Sequence, residues 1–148
     1  MLARRELSVA ECRARLADLE HTSEDIERAV AKLLETGGLD DARLAREYAR
    51  TAADVKGRGR MRVQQELQAR GVDKETASEA IGAVFGQRDE RQLVERALQK
   101  KMRGRPRPLD AREYSRLYQH LMRQGFTPAG ITAALRKLRR PQDDEYNE

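Results

Sequence analysis

The spacing of apolar residues along the chain predicts α-helices. In one stretch Ile26, Ala29, Val30, Leu33 and Leu34 follow the helical spacing that places all five on one face. No segment alternates apolar and polar residues over the length of a strand, and β-branched residues are sparse. The pattern therefore predicts an all-α protein in which each helix offers one apolar stripe to its neighbours.

The predicted helices begin at residues that cap helices well. A Ser, Thr or Asp side chain can accept a hydrogen bond from a first-turn amide, and such residues precede six of the periodic stretches: Ser8, Thr22, Asp40, Asp73, Asp110 and Thr127. Glu11 completes a capping box with Ser8, and Pro128 takes the favoured first helical position. Glycine is expected to end several of them, with Gly37 or Gly38 ending one and Gly71 another.

The helical pattern recurs along the chain. Gly71 corresponds to Gly125 at an offset of 54 residues (125 − 71 = 54), and the apolar positions around it follow at the same offset. A shift of 51 residues carries Asp73 back to Thr22 (73 − 22 = 51), again with matching apolar positions. Chance similarity among amphipathic helices is the alternative, but it does not account for the matching caps. The chain therefore contains units of about 50 residues that bury their apolar stripes by stacking on one another.

We predict about three tandem three-helix repeats that form an elongated, curved helical stack. The expected boundaries are a first repeat at 1–38, shortened at its N-terminus, a second at 39–86 and a third at 87–140. Residues 141–148 are acidic and polar, and we predict that they form a disordered tail.

Composition indicates the charge of the partner that this fold would bind. The chain carries 30 Lys and Arg against 25 Asp and Glu, a net charge of +5, and its isoelectric point is near 9.6. This balance favours an anionic partner, either nucleic acid or an acidic protein face. A well-solvated surface of mixed charge is the alternative. Aromatic residues make up 4% of the chain, which predicts a narrow core and leaves little for base stacking.

Two clusters of cations lie between the predicted first and second helices of the second and third repeats. The first crowds the N-terminal end of a predicted helix, where the helix dipole disfavours positive charge. We expect stacking to place both clusters along one edge, where an external anion, DNA phosphate or an acidic protein groove, compensates them. Alternatively, the second cluster is a solubilising loop. The candidate binding residues are Lys56, Arg58, Arg60, Arg62, Lys100, Lys101, Arg103, Arg105 and Arg107.

No residue pattern in the sequence indicates catalysis, a metal site or a cofactor. Cys12 is the only cysteine, and His21 and His120 are far apart in the sequence, so no metal-ligand spacing occurs. Phosphate-binding loops and nucleophile motifs are not found. No apolar run is long enough to span a membrane, and the N-terminus does not read as a signal peptide. We therefore expect a monomeric, non-enzymatic protein of the cytoplasm.

Four stretches of the chain resemble the RecX family of bacterial recombinase regulators. They are LARRELSVAECRARL, GGLDDARLAREYAR, KGRGRMRVQQELQARGV and HLMRQGFTPAGITAAL, and the resemblance extends to about Leu138. It implies tandem three-helix repeats and a non-enzymatic function. Members of the family bind the RecA recombinase and lodge in the groove of its filament on single-stranded DNA. There they restrain filament growth, ATP hydrolysis, strand exchange and co-protease activity, and some also bind DNA.

The resemblance is carried by particular residues. The positions that match the family pattern are Asp40, Asp41, Arg43, Tyr48, Lys56, Gly57, Glu66, Leu67, Gly71 and Val72. Cys12 and His21 depart from it, since aliphatic or aromatic residues are usual there. The predicted function is therefore inhibition of RecA filaments, which modulates recombination and the SOS response. The alternative is a sequence-independent single-stranded DNA- or RNA-binding protein that needs no protein partner.

Overall fold

The computed structural model describes residues 6–103 and 108–138, and this part of the chain is all-α. The predicted tail at 141–148 and the cations Arg105 and Arg107 lie outside it. No helix within the two described ranges has the length and apolar character needed to cross a bilayer. The helices are α1 (Val9–Asp18), α2 (Ser23–Thr36), α3 (Asp41–Asp54), α4 (Arg60–Ala69), α5 (Lys74–Phe85), α6 (Glu90–Met102), α7 (Ala111–Gln124) and α8 (Pro128–Arg136).

The helices group into modules through their packing. Helices α3 and α4 both pack against α5 and form the second module, while α6 and α7 both pack against α8 and form the third module. Helices α1 and α2 pack on each other and form the first pair. Helices α1, α4 and α7 therefore occupy equivalent positions, as do α2, α5 and α8. The all-α prediction is confirmed. The second and third modules share one arrangement of three helices, and the first pair repeats two of the three positions.

The largest apolar core runs through the second and third modules. In the second module α3 contributes small residues, including Ala45, Ala49 and Ala52, all fully buried. These small side chains let α3 approach α5 closely, so a sequence with few large apolar residues still builds a packed core. A second, smaller core belongs to the first pair and contains Cys12 and Val30. Cys12 is buried there, as expected for a small core residue.

The predicted apolar stripe of α2 is only partly buried. Leu33 and Leu34 are 36% and 48% exposed, although the helical pattern placed both on the core face. At the equivalent positions of α5, 51 residues further on, Val84 and Phe85 are each 3% exposed in the second module, where α3 packs on α5. Among residues 6–38 no helix takes the position that α3 has beside α5. Periodicity therefore identified the stripe, but burial depends on the neighbouring helix.

Seven of the eight described helices begin with a side-chain cap. The predicted caps at Ser8, Thr22, Asp40, Asp73, Asp110 and Thr127 are confirmed, and Asp89 caps α6 in the same way. Glycine in the left-handed conformation follows three helices, at Gly37, Gly71 and Gly125. The exception at the N-terminal end is α4, whose cap residue is Gly59 and has no side chain to offer.

The N-terminal end of α4 is capped by the neighbouring module. The Gly59 amide donates to the Gln124 carbonyl at 2.7 Å, and the Met61 amide donates to the Gly125 carbonyl at 3.1 Å. The carboxyl end of α7 thus satisfies first-turn amides of α4 that would otherwise lack an acceptor. A β-carbon on Gly59 would lie 2.5 Å from the Gly125 oxygen, so only glycine permits this approach.

The first pair joins the second module in a related way. The Ser8 hydroxyl donates to the Arg70 carbonyl at 2.5 Å, and the Arg70 guanidinium donates to Glu11 at 2.8 Å. A β-carbon on Gly71 would lie 2.3 Å from the Ala10 side chain. Ser8 and Gly59 are 51 residues apart, and Arg70 and Gln124 are 54 apart, so the two joints use equivalent positions. At both joints, therefore, the N-terminal end of one helix packs against the C-terminal end of the equivalent helix in the following module: α1 against α4, and α4 against α7.

Candidate anion-binding surface

The alternating cations at the start of α4 point in different directions. Residues two apart on a helix are separated by about 200° around its axis, so Arg60 and Arg62 cannot face one ligand from the same side. Arg60 is exposed and lies over the Phe85 ring, 5.8 Å from its centroid. Arg62 is half-buried, and its guanidinium lies 3.5 Å from the Arg123 carbonyl and 3.4 Å from the Gln124 side-chain oxygen.

Two cations of the first cluster have a carboxylate partner within the chain. Arg58 and Tyr48 both donate hydrogen bonds to one oxygen of Glu66. Arg62 Nε lies 3.4 Å from the other oxygen, an ion-pair distance without hydrogen-bond alignment. Burial raises the pKa of the Tyr48 hydroxyl, and its hydrogen bond to Glu66 raises the pKa further.

These contacts correct the electrostatic expectation for the start of α4. We expected an external anion to compensate the whole cluster, but Glu66 and the carbonyl end of α7 already lie beside Arg58 and Arg62. A helix C-terminus carries partial negative charge, so this neighbour offsets the unfavourable position of cations at the N-terminus of α4. Lys56 and Arg60 remain exposed, with only aromatic rings as described contacts.

Four cations of the two clusters border one cleft. Lys56, at the α3–α4 turn, lies across from Lys100, Lys101 and Arg103, at the end of α6. Gly57 takes the left-handed conformation in this turn, with φ of 67°, and a β-carbon there would be in ordinary van der Waals contact with the Ala97 side chain on α6, at 3.9 Å. The space, which we name the junction cleft, has a volume of about 350 Å³. Its lining residues are Lys56, Gly57, Ala97, Lys100, Lys101, Arg103, His120 and Gln124.

The lining of the junction cleft is suited to anions. Among the lining residues that the structure describes there is no Asp or Glu, and Ala97 supplies the only apolar side chain. Lys100 and Lys101 belong to the last turn of α6, where the helix dipole favours positive charge, so their position costs the fold little. Arg103 ends α6 in the left-handed conformation. Four exposed cations from two modules therefore border one space.

Helix α7 extends the junction cleft with basic residues that are not contiguous in the sequence and were not predicted as binding residues. An adjoining cleft of about 440 Å³ shares Lys101 and His120 with it and is also lined by Arg116 and Arg123. Arg116, His120 and Arg123 are spaced by four and three residues, so they share one face of α7. This spacing was the available signal, but a search for contiguous charge does not detect it. His120 lies where the two clefts meet, and it is half-buried.

The electrostatic surroundings of His120 are positive. Burial lowers the pKa of the His120 imidazole below its usual value, and Lys101, Arg123 and Arg62 lower the pKa further. The neutral imidazole is therefore favoured while the cleft is empty. In the described ranges no group of three or more His, Cys, Asp or Glu side chains is placed to hold a metal ion.

The fold and this cleft define a class of protein: stacked three-helix modules whose successive junctions bring cations together. Residues 40–81 match the family model for the second three-helix domain of RecX, and residues 89–135 match the model for its third three-helix domain. The chain belongs to the RecX family of regulatory proteins.

Relatives along nearly the whole chain support this assignment. The regulatory protein RecX of Halorhodospira halophila is 34% identical over 146 residues, which cover 98% of this chain and 86% of the relative. The regulatory protein RecX of Chromobacterium violaceum is 33% identical over 148 residues, which cover 100% of this chain and 90% of the relative.

Solved structures show the same fold. The crystal structure of RecX from Lactobacillus salivarius superposes with a TM-score of 0.69 at 17% identity and covers 89% of this chain and 85% of that one. A second crystal structure, described as regulatory protein RecX, gives a TM-score of 0.72 at 21% identity. It covers 88% of this chain and 65% of that one.

Proposed function

We propose that this protein is a non-enzymatic regulator that binds RecA filaments on single-stranded DNA. In doing so it inhibits the recombinase, ATPase and co-protease activities of RecA, and so modulates recombination and the SOS response in the cytoplasm. Membership of the RecX family supports the class of function. The convergence of cations from two modules on the junction cleft is the observation that supports an anionic target.

Stacked modules suit a filament target because one chain can contact more than one point of a repeating lattice. Linked contacts bind more tightly than separate ones, since the second contact forms at a high effective concentration. A long-range attraction between a basic cleft and a nucleoprotein filament also speeds association. We therefore place the contact at Lys56, Lys100, Lys101 and Arg103. Arg58 and Arg62 have internal partners and are weaker candidates.

The test is titration of the protein into RecA filaments on single-stranded DNA while ATP hydrolysis is followed. We expect the wild-type chain to inhibit hydrolysis. We expect a variant with Lys56, Lys100, Lys101 and Arg103 changed to Gln to inhibit at least about tenfold more weakly, a loss of about 1.4 kcal/mol in binding. A matched control changes Arg15, Arg28, Lys32 and Lys74 to Gln, which removes the same charge from exposed positions outside the cleft.

The two variants separate binding at the cleft from total charge. Equal inhibition by the cleft variant and the wild type, with helicity retained, would remove the junction cleft from the proposal. Equal loss in both variants would show that net charge alone controls the effect. No inhibition by the wild-type chain at any ratio would contradict the proposed function itself.

The composition of the junction cleft also favours the alternative, a protein that binds single-stranded nucleic acid without a partner. Measurement of affinity for single-stranded DNA across a salt series, with no RecA present, distinguishes the two. Tight binding at physiological salt with a steep salt dependence would favour the alternative. Binding that is micromolar or weaker under those conditions would favour the filament as the target.

A further inference from the structure

The described lining of the junction cleft has four cations and a single apolar residue, Ala97. Protein segments that dock on a surface usually place large apolar anchors in pockets lined by apolar or aromatic side chains, and this cleft has no such pocket among its described lining residues. A sugar–phosphate backbone needs the opposite, namely several cations and amides around charged oxygens. The lining therefore suits a nucleic-acid backbone better than an acidic peptide.

His120 differs from the other charged residues of the cleft because its charge can change near neutral pH. It is half-buried at the point where the junction cleft and the adjoining cleft meet. The groups that face it are cationic on every packed element except for one carboxylate on its own helix. They are Lys56 from the α3–α4 turn, Arg62 from α4, Lys100, Lys101 and Arg103 from α6, and Glu113, Arg116 and Arg123 from α7.

We propose that the junction cleft binds the phosphate backbone of a single-stranded nucleic acid and that His120 takes up a proton from solvent when it does so. A phosphate in the cleft offsets the repulsion that Lys101 and Arg123 exert on an imidazolium. The charged imidazole then adds a donor to the bound anion. The inference rests on the proposed function for the location of the contact surface, and it adds the ligand chemistry and the protonation step.

The sign of the pH dependence follows from linkage. Burial and the neighbouring cations lower the pKa of the His120 imidazole in the free protein, so it takes up a proton less readily than an ordinary histidine. The bound anion raises the pKa, so the complex holds more protons than the free protein between the two values. Affinity must therefore increase as the pH falls through that interval. Phosphodiesters and carboxylates stay ionised there, so they do not produce the same change.

The experiment measures binding of a fluorescently labelled oligodeoxythymidylate to the full chain by anisotropy, at fixed ionic strength between about pH 8 and about pH 5.5. We expect the wild-type affinity to increase about tenfold for each unit by which the pKa of His120 rises on binding. The His120→Gln variant should show little change over this range. The His21→Gln variant is the matched control, because His21 is exposed and lies in neither cleft, and it should behave as the wild type.

A direct readout of protonation accompanies the binding curves. The chain has two histidines, so the imidazole resonances are assigned by the two variants. We expect the titration midpoint of His120 to move to higher pH when the oligonucleotide is added. The protonation step would be overturned if the titration midpoint of His120 did not move when the oligonucleotide was added. It would also be overturned if the affinity of the wild type and that of the His120→Gln variant depended equally on pH.

Two further outcomes decide the ligand class and separate this inference from the proposed function. Competition by polyglutamate at the same charge concentration as the oligonucleotide would overturn the assignment to phosphate, whereas poor competition supports it. Because the assay contains no recombinase, proton-linked binding stands even if the chain has no effect on RecA. Conversely, inhibition of RecA without proton-linked binding would leave the function in place and overturn the inference.

Discussion

Glu20 holds a backbone conformation that glycine holds in the next two modules. Its φ is 67°, and the equivalent positions 51 and 105 residues further on (20 + 51 = 71, 71 + 54 = 125) are Gly71 and Gly125, with φ of 86° and 99°. A side chain in the left-handed region is disfavoured by contact between its β-carbon and the backbone. At this position, therefore, the first pair carries local strain that the second and third modules avoid.

Replacement of Glu20 by Gly should stabilise the protein. We expect the free energy of unfolding to rise by about 0.5–1 kcal/mol, because relief of the left-handed strain exceeds the added entropy of the unfolded chain. Urea denaturation followed by circular dichroism measures the change. Glu20→Ala serves as the control, since it removes the same charge and keeps the β-carbon. Equal stabilisation by both variants would assign the effect to charge instead.

Single residues also show where the sequence was informative and where it was not. The cap at Thr22 and the stop at Gly71 depend on neighbours a few residues away, so a local pattern sufficed to predict them. The partner of Arg58 did not follow from the local pattern of charges. Glu66 lies eight residues further on, and nothing local indicated that it turns inward to Arg58 and Tyr48.

At the scale of elements, the unusual feature is that α4 takes its cap from α7. Seven described helices carry a side-chain cap, and the sequence predicted six of these caps, all except Asp89, because Ser, Thr or Asp stands at the right position. Gly59 signals no cap, and its role is to let the carbonyls of Gln124 and Gly125 approach. Arg62, one of the cations at this end, lies beside the partially negative C-terminus of α7, which is a tertiary contact that sequence periodicity cannot show.

Replacement of Gly59 by Ala should therefore weaken the joint between the second and third modules. Its backbone, with φ of −94° and ψ of 175°, is accessible to Ala, so any cost comes from the β-carbon meeting Gly125. We expect a loss of about 1–3 kcal/mol in the free energy of unfolding, typical of overpacking.

The matched control for that substitution is Gly82→Ala. Gly82 lies inside α5, and a β-carbon there would have no neighbour within 4 Å. We expect Gly82→Ala to stabilise the protein by about 0.5–1 kcal/mol, because Ala favours helix more than Gly does. Urea denaturation of both variants gives the comparison. A Gly59→Ala variant as stable as the wild type would mean that the joint adapts without cost and that close approach there is not required.

At the scale of the whole molecule, the stacking of modules decides which cations act together. The sequence predicted two clusters at equivalent junctions, and the structure places Lys56 of one across from Lys100 and Lys101 of the other. Arg60 projects elsewhere, over the Phe85 ring, because each residue of a helix is rotated by about 100° from the one before it. The contribution of α7, above all His120, was missed because it depends on helix facing and on the neighbouring module.

The central claim is that cations from two successive modules form one binding surface for an anionic filament. Its most direct test is the affinity of the protein for RecA filaments on single-stranded DNA, measured across a salt series. The wild type is compared with the variant in which Lys56, Lys100, Lys101 and Arg103 are Gln.

If the cleft contacts single-stranded backbone, four lost cations should make the slope of log affinity against log salt shallower by about 2.8, at about 0.7 per charge. The Arg15, Arg28, Lys32 and Lys74 control should keep a slope close to that of the wild type. A cleft variant that retains both the wild-type affinity and the wild-type slope would contradict the account.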